Sequence, residues 1–209
     1  MPSYSNDFET HRPVLSAVVE YLRATRENLY VVEVGCGWGS TPHLLSLLNR
    51  FGDRLISLEN NTVWLDRVAK SFPTNERHEW RKVGESWYHA LRQLSSEIDQ
   101  IDILFLDSSP WESRTMAMDI LSPKSVFTVV HDVDYFPHNR IWGRELSPIQ
   151  SPHDPGSRDY SSEFRFWIEV FPKVFYAPSG PPTLVGSNSD SGLLELNFDD
   201  STVISRSIS

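Results

Sequence analysis

Four short apolar runs in this chain each end on residues able to do chemistry. Residues 29–34 contain Glu33 and lead into Gly35-Cys36-Gly37-Trp38-Gly39, residues 54–58 stop at Glu59, residues 101–106 at Asp107, and residues 125–130 at His131 and Asp132. Glycines at alternate positions allow positive φ in a turn and let a ligand approach the backbone with no Cβ in the way. Carboxylates in a cluster can hold a hard divalent cation such as Mg²⁺, and Asp107 with Asp132 is the candidate pair. Histidine titrates near neutrality, which makes His131 the first candidate for a general base and Asp132 the second. Neighbouring residues on a strand point to opposite faces, so both reach one cleft only if the strand has already ended.

The elements around these residues read as strand and helix in alternation. Residues 41 to about 50 form a helix opened by Thr41 and Pro42 as N-cap and first-turn residue, residues 62–71 and 86–97 are helical, and residues 78–83 are a further strand. The continuous apolar runs are those of strands buried on both faces, as in a parallel sheet. An α/β fold follows: a three-layer sandwich, with a mostly parallel central sheet and helices on both faces. In such sheets ligands bind in the crevice at the carboxyl ends of the strands, so the glycine loop, Glu59, Asp107 and Asp132 converge on one crevice.

Outside this frame, residues 1–30 make an N-terminal helical segment whose apolar positions Val14, Leu15, Val18, Val19 and Leu22 have helical spacing. Residues 135–162 carry four prolines and two glycines with Tyr135, Phe136, Trp142 and Tyr160, and read as a loop that forms a lid before the C-terminal strands. Residues 163–171 then read as a helix, residues 173–177, 183–186 and 192–198 as strands, and residues 199–209 as a disordered tail. The whole chain, 1–209, is expected to be a single domain.

Composition narrows the partners. A formal charge of −9 repels polyphosphate, so no nucleic acid is expected. No apolar run approaches the ~20 residues a membrane helix needs, so no membrane is expected either. The single cysteine, Cys36, forms no internal disulfide, and the N-terminus has no signal-like segment, which fits a cytoplasmic location. Cys36, Trp38 and Trp87 read as packing residues.

An acidic residue followed by three alternate glycines, between a strand and a helix, resembles the first motif of the class I S-adenosylmethionine-dependent methyltransferases. The resemblance implies a Rossmann-like fold and places the methionine and ribose parts of the donor on Glu33, Gly35, Gly37 and Gly39. Glu59 matches the family's acid at the end of the second strand, where a carboxylate can accept hydrogen bonds from both ribose hydroxyls. Val83-Gly84-Glu85-Ser86 is similar to the segment bordering adenine, which brings Glu85 and Ser86 into the cofactor site, and Asp107 and His131-Asp132 match the fourth and fifth strand ends. The match covers residues 31–134, about half the chain, and implies transfer of a methyl group to a small-molecule acceptor, foremost a hydroxyl of a sugar or natural product.

Other readings stay open at this level. Catechol-type enzymes of the family use a metal, but they have Asn after the second Asp where this chain has Val133, so a metal-free route is favoured. Asp107-Ser108-Ser109-Pro110-Trp111 faintly resembles the segment with which amino methyltransferases grip an NH₂ group, which keeps a free amine or a protein side chain as an alternative acceptor. A nicotinamide enzyme would use the same sheet, but its glycine spacing is absent. A non-catalytic nucleotide-binding protein is the remaining alternative.

Overall fold

The computed structural model describes residues 10–72, 76–133, 160–172, 182–196, 198 and 201–207. The chain opens with helix α1 (His11–Arg23), followed by β1 (Tyr30–Val34), α2 (Thr41–Leu47), β2 (Arg54–Glu59), α3 (Thr62–Ser71), β3 (His78–Lys82), α4 (Trp87–Glu97) and β4 (Ile101–Leu106). It continues through α5 (Trp111–Leu121), β5 (Ser125–His131), β6 (Phe166–Pro172), β7 (Thr183–Ser187) and β8 (Ser201–Ser207). These strands form one eight-stranded sheet in the order β3-β2-β1-β4-β5-β7-β6-β8. The first five are mutually parallel, and β7, β6 and β8 add antiparallel neighbours.

Alternation along the parallel strands divides the core in two. Val31, Leu55, Ile103, Phe105, Phe127 and Val129 face α1 and α2. Val32, Val34, Ile56, Leu58, Leu104, Leu106 and Val130 face α4 and α5. Both sets are buried, which explains why the strands read as unbroken apolar runs. The α/β sandwich expected from the sequence is therefore the observed architecture.

Strand order reverses between β1 and β4, and this switch point opens a crevice at their carboxyl ends. Gly35 follows β1 at a φ of +92°, and a Cβ there would meet the Asp107 carbonyl oxygen and the Ser108 backbone at 2.6 Å. The backbone after β1 thus lies directly against the backbone after β4. Among the described glycines, Gly35 is the one with positive φ, and a Cβ on Gly37 would meet nothing nearer than the Ser40 hydroxyl at 3.8 Å. The alternate glycines serve different ends: Gly35 allows close approach, whereas Gly37 leaves open space.

The C-terminal third differs from its sequence reading. Residues 163–171, expected to be helical, form the end of a 3-10 turn (Tyr160–Glu163) and then β6. Trp167, Ile168, Glu169 and Val170 are all buried, so tertiary pairing on both edges of β6 and burial on both faces override the helical spacing. The expected strand at 192–198 contains a 3-10 turn (Ser191–Glu195) capped by Asp190, whose side chain accepts from Gly192 N at 2.9 Å. The tail at 199–209, expected to be disordered, supplies β8, whose β-branched Thr202, Val203 and Ile204 pair with β6. Helix α5 was not anticipated, and α2 stops three residues short of Arg50. Most of the expected lid, with the strand at 173–177, lies outside the described residues.

Gly35→Ala is expected to cost about 2 kcal/mol or more in unfolding free energy, because it adds both left-handed strain and a backbone clash. Gly37→Ala should change stability by less than about 1 kcal/mol, having neither. Urea denaturation of the two variants checks this, and equal effects would contradict the division of roles.

Candidate functional site

The glycine loop is shaped from beneath by Glu33. This carboxylate is fully buried and accepts from Ser40 Oγ at 2.5 Å, Thr41 Oγ1 at 2.9 Å and Ser57 Oγ at 2.5 Å. One side chain on β1 thereby holds the first turn of α2 and the middle of β2. Thr41 is no helix cap: its hydroxyl accepts from Gly37 N at 3.1 Å and donates to Glu33, which links the loop backbone to the same carboxylate. Burial raises the Glu33 pKa to about 7 against the opposing pull of the three hydroxyls. Glu33 faces inward and does not reach the crevice, so it shapes the loop that the resemblance had it share with the donor.

The crevice is a cleft of about 530 Å³ bordered by Cys36 and Gly37, by Glu59 to Asn61 with Trp64, and by Asp107, Ser109 and Pro110. That volume suits a small-molecule ligand. Among the described residues, two carboxylates line it and no lysine or arginine does. Glu59 accepts from Asn61 N at 2.8 Å through Oε1, and its Oε2 faces the Cys36 thiol at 3.9 Å. Burial raises the Glu59 pKa, opposed by the backbone donors around it. Asn61 caps α3 by accepting from Trp64 N at 3.0 Å, while the Trp64 indole donates to Cys36 O at 2.7 Å. The ring is thus fixed as one wall. Trp64 went unnoticed in the sequence, although an aromatic residue in the first turn after a strand-end acid was a visible signal.

Other expected contacts fall elsewhere. Among the described residues, Gly39 does not border the cleft, and its carbonyl accepts from Arg12 Nε at 2.9 Å. Ser86 caps α4, accepting from His89 N at 3.4 Å, and neither it nor Glu85 borders the cleft. Gly35 lies beneath the loop rather than at its surface. Cys36 is buried with its thiol pKa pushed up by burial, in keeping with an unreactive packing residue.

Behind Asp107 stands a polar cluster. Strand β5 ends at His131, and Asp132 takes a left-handed φ of 57°, so the two side chains turn to the same region despite being adjacent. His131 Nδ1 lies 3.3 Å from Asp107 Oδ1 and 3.4 Å from Asp132 Oδ1, and its Nε2 lies 3.1 Å from Thr10 Oγ1. Burial disfavours an imidazolium, but Asp132 and Asp107 outweigh it and raise the His131 pKa. Burial likewise opposes ionisation of Asp107, yet His131 and Arg114 hold its carboxyl below the usual range. Both ring nitrogens of His131 are engaged and the residue is only 4% exposed, so it is not the free base that its strand-end position suggested.

Arg114 on α5, missed in the sequence, locks this corner. It donates to Ser108 O at 2.8 Å, to His131 O at 2.6 Å and to Asp107 Oδ1 at 2.9 Å, so one buried guanidinium ties the ends of β4 and β5 together. The two carboxylates of the expected metal pair, Asp107 and Asp132, both lie against His131 Nδ1. Among the described residues, one group of three side chains is close enough to share an ion: His11, Asp107 and His131. Two imidazoles with one carboxylate suit Mg²⁺ poorly, since that ion prefers oxygen ligands. The histidines and arginines of residues 135–159, His138, His153, Arg140, Arg144 and Arg158, lie outside the described residues.

No protein-family model and no curated protein matches the sequence. Solved structures do match in fold. An O-methyltransferase from Bacillus cereus in complex with SAH aligns with a TM-score of 0.59 at 17% identity, over 88% of this chain and 82% of that one. The O-methyltransferase TomG from Streptomyces achromogenes, involved in tomaymycin synthesis and in complex with SAM, gives 0.56 at 17% identity over 88% of both chains. A spermidine synthase from Thermotoga maritima gives 0.53 at 14% identity, over 92% of this chain and 66% of that one. The chain thus has the Rossmann-like α/β fold of these proteins, and their differing names show that the fold alone does not set the reaction.

Glu33 gives a pH signature. Its folded pKa of about 7 lies above the ordinary 4.5, so the folded state binds the proton more tightly. The stability it contributes is full below about pH 4.5 and is lost as pH rises through about 7. The unfolding free energy of the protein relative to Glu33→Gln should therefore fall across that window and level off above it. A difference independent of pH would contradict the buried, proton-retaining carboxylate.

Proposed function

We propose that this chain is an S-adenosylmethionine-dependent methyltransferase acting on a hydroxyl of a small molecule. The observation that carries the reading is the charge of the cleft at the switch point: two carboxylates, Glu59 and Asp107, flank Gly37, and among the described residues no cationic side chain lines the space between. A dinucleotide would bring a pyrophosphate into that field and be repelled, whereas a sulfonium nucleoside with its ammonium group is drawn in. Glu59 offers acceptors for the two ribose hydroxyls at the end of β2, and Gly37 leaves room for close approach. Bound there, the donor supplies a methyl group on a positively charged sulfur, open to in-line attack.

The protein's part is chiefly positioning, because an in-line displacement needs its reacting atoms held about 3 Å apart with water kept out. A hydroxyl acceptor must also lose a proton, and that task falls to the cluster at the ends of β4 and β5. Asp132 takes precedence over His131 there, since its side chain is 20% exposed against 5% for the histidine, whose nitrogens already have partners. The hydroxyl class draws support from the O-methyltransferase names of the structural neighbours.

Calorimetry with purified protein tests the donor. S-adenosylmethionine or S-adenosylhomocysteine should bind, NAD should not, and Glu59→Ala should weaken binding by about 10-fold or more through the loss of charged acceptors. Tight NAD binding with none of the donor would overturn the reading. In single-turnover assays with candidate acceptors, Asp132→Asn should retain donor affinity and lose about 10²-fold in rate. An unchanged rate would take the proton-accepting role away from Asp132.

A further inference from the structure

His11, in the first turn of α1, has no place in the donor site, yet it is only 3% exposed. Among the described residues, neither of its ring nitrogens has a hydrogen-bond partner. A buried polar side chain left unsatisfied is costly and calls for a partner. Its ring packs 5.2 Å from Phe105 and edge-on to His131 at 4.7 Å. A neutral imidazole has a lone pair to offer a metal.

We propose that His11, His131 and Asp107 form a binding site for a late first-row divalent cation, Zn²⁺ foremost, at the inner wall of the cleft. One nitrogen or oxygen from each lies within 4.8 Å of the others. The 3.3 Å between His131 Nδ1 and Asp107 Oδ1 is long for a charge-assisted hydrogen bond. It equals the edge of a tetrahedron built on metal–ligand bonds of about 2.0 Å. Thr10 Oγ1 engages Nε2 of His131 and so orients the ring, and Nδ1, which faces Asp107, is the atom that would take the ion in place of its present hydrogen bond. Thr10 and His11 are consecutive, so the start of α1 supplies both a ligand and the group that orients another.

The donor set decides the class of ion. Two imidazoles with a carboxylate favour Zn²⁺ and its neighbours over Mg²⁺ or Ca²⁺. Three protein ligands leave a coordination position open, as in catalytic rather than structural zinc sites. The histidine ligands are the buried members, and Asp107, with 26% of its side chain exposed, borders the cleft. The open position therefore belongs on the cleft side, where an ion would lower the pKa of an acceptor hydroxyl. Arg114 also donates to Asp107 Oδ1 and fixes the carboxylate in place. The site rests on side-chain geometry and stands independently of the donor reading.

The test uses protein stripped by chelator and dialysed. Zn²⁺ titrated by calorimetry should bind with one-to-one stoichiometry, and Co²⁺ should give the visible bands of a low-coordinate nitrogen–oxygen site. His11→Phe, which keeps a ring against Phe105, should weaken Zn²⁺ binding by at least 10-fold, while His89→Ala on the exposed face of α4 should leave it unchanged. X-ray absorption of the Zn²⁺-loaded natural chain needs no variant and should show two imidazoles in the first shell. Absence of binding, equal affinity in His11→Phe, loss in His89→Ala, or fewer than two imidazoles would each overturn the site. Donor affinity measured on the same stripped protein separates this outcome from the methyltransferase reading, since a protein without the ion site would still bind S-adenosylhomocysteine.

Discussion

The buried carboxylate of Glu33 is the constraint on which the crevice depends. An ionisable group with no solvent contact is tolerated only when its hydrogen-bonding capacity is met, and here Ser40, Thr41 and Ser57 meet it. Those hydroxyls belong to the start of α2 and to β2, while Glu33 itself sits on β1, so satisfying one side chain fixes three elements together. Ser57 extends the connection outward, lying 3.1 Å from Nε2 of the buried His78 on β3. The loop that follows β1 inherits this rigidity through Thr41, which also receives the Gly37 amide.

On the far side of the crevice, the backbone does the equivalent work. Gly35 brings the end of β1 against the Asp107 carbonyl, Gly35 N donates to Leu58 O, and Asp107 N donates to Val34 O. The ends of β2, β1 and β4 are thereby locked at one level, and the carboxylates that follow β2 and β4 face each other across the loop. Arg114 and His131 hold the Asp107 carboxyl below its usual range, and neither lines the cleft, so the groups behind Asp107 favour the anion that the cleft presents. This arrangement, anionic at the wall with a guanidinium behind it, is the electrostatic basis of the proposed preference for a cationic nucleoside.

Much of this was legible in the sequence because parallel strands buried on both faces leave an unmistakable pattern. The runs ending at Val34, Glu59, Leu106 and His131 are the strands that carry the site, and each strand-end residue was identifiable from its place alone. What was not legible depends on contacts distant along the chain. Residues 163–171 have helical spacing, and only pairing with β7 and β8 makes a strand from residue 166 onward. His11 and Arg114 are ordinary polar residues of helices, and their roles appear only when α1 and α5 pack beside the ends of β4 and β5. The fate of Glu33 was misread for a related reason: a motif shows which residues recur near a ligand, not which of them point away from it.

On the proposed function, the two carboxylates across the glycine loop receive an adenosyl donor. A crystal structure of the protein with S-adenosylhomocysteine tests it most directly. The ribose hydroxyls should lie within hydrogen-bond distance of Glu59, with the homocysteine portion reaching past Gly37 toward Asp107. Density for the ligand in the groove beside Arg54 and Arg77, or a nucleotide whose phosphates occupy the space between Glu59 and Asp107, would contradict it.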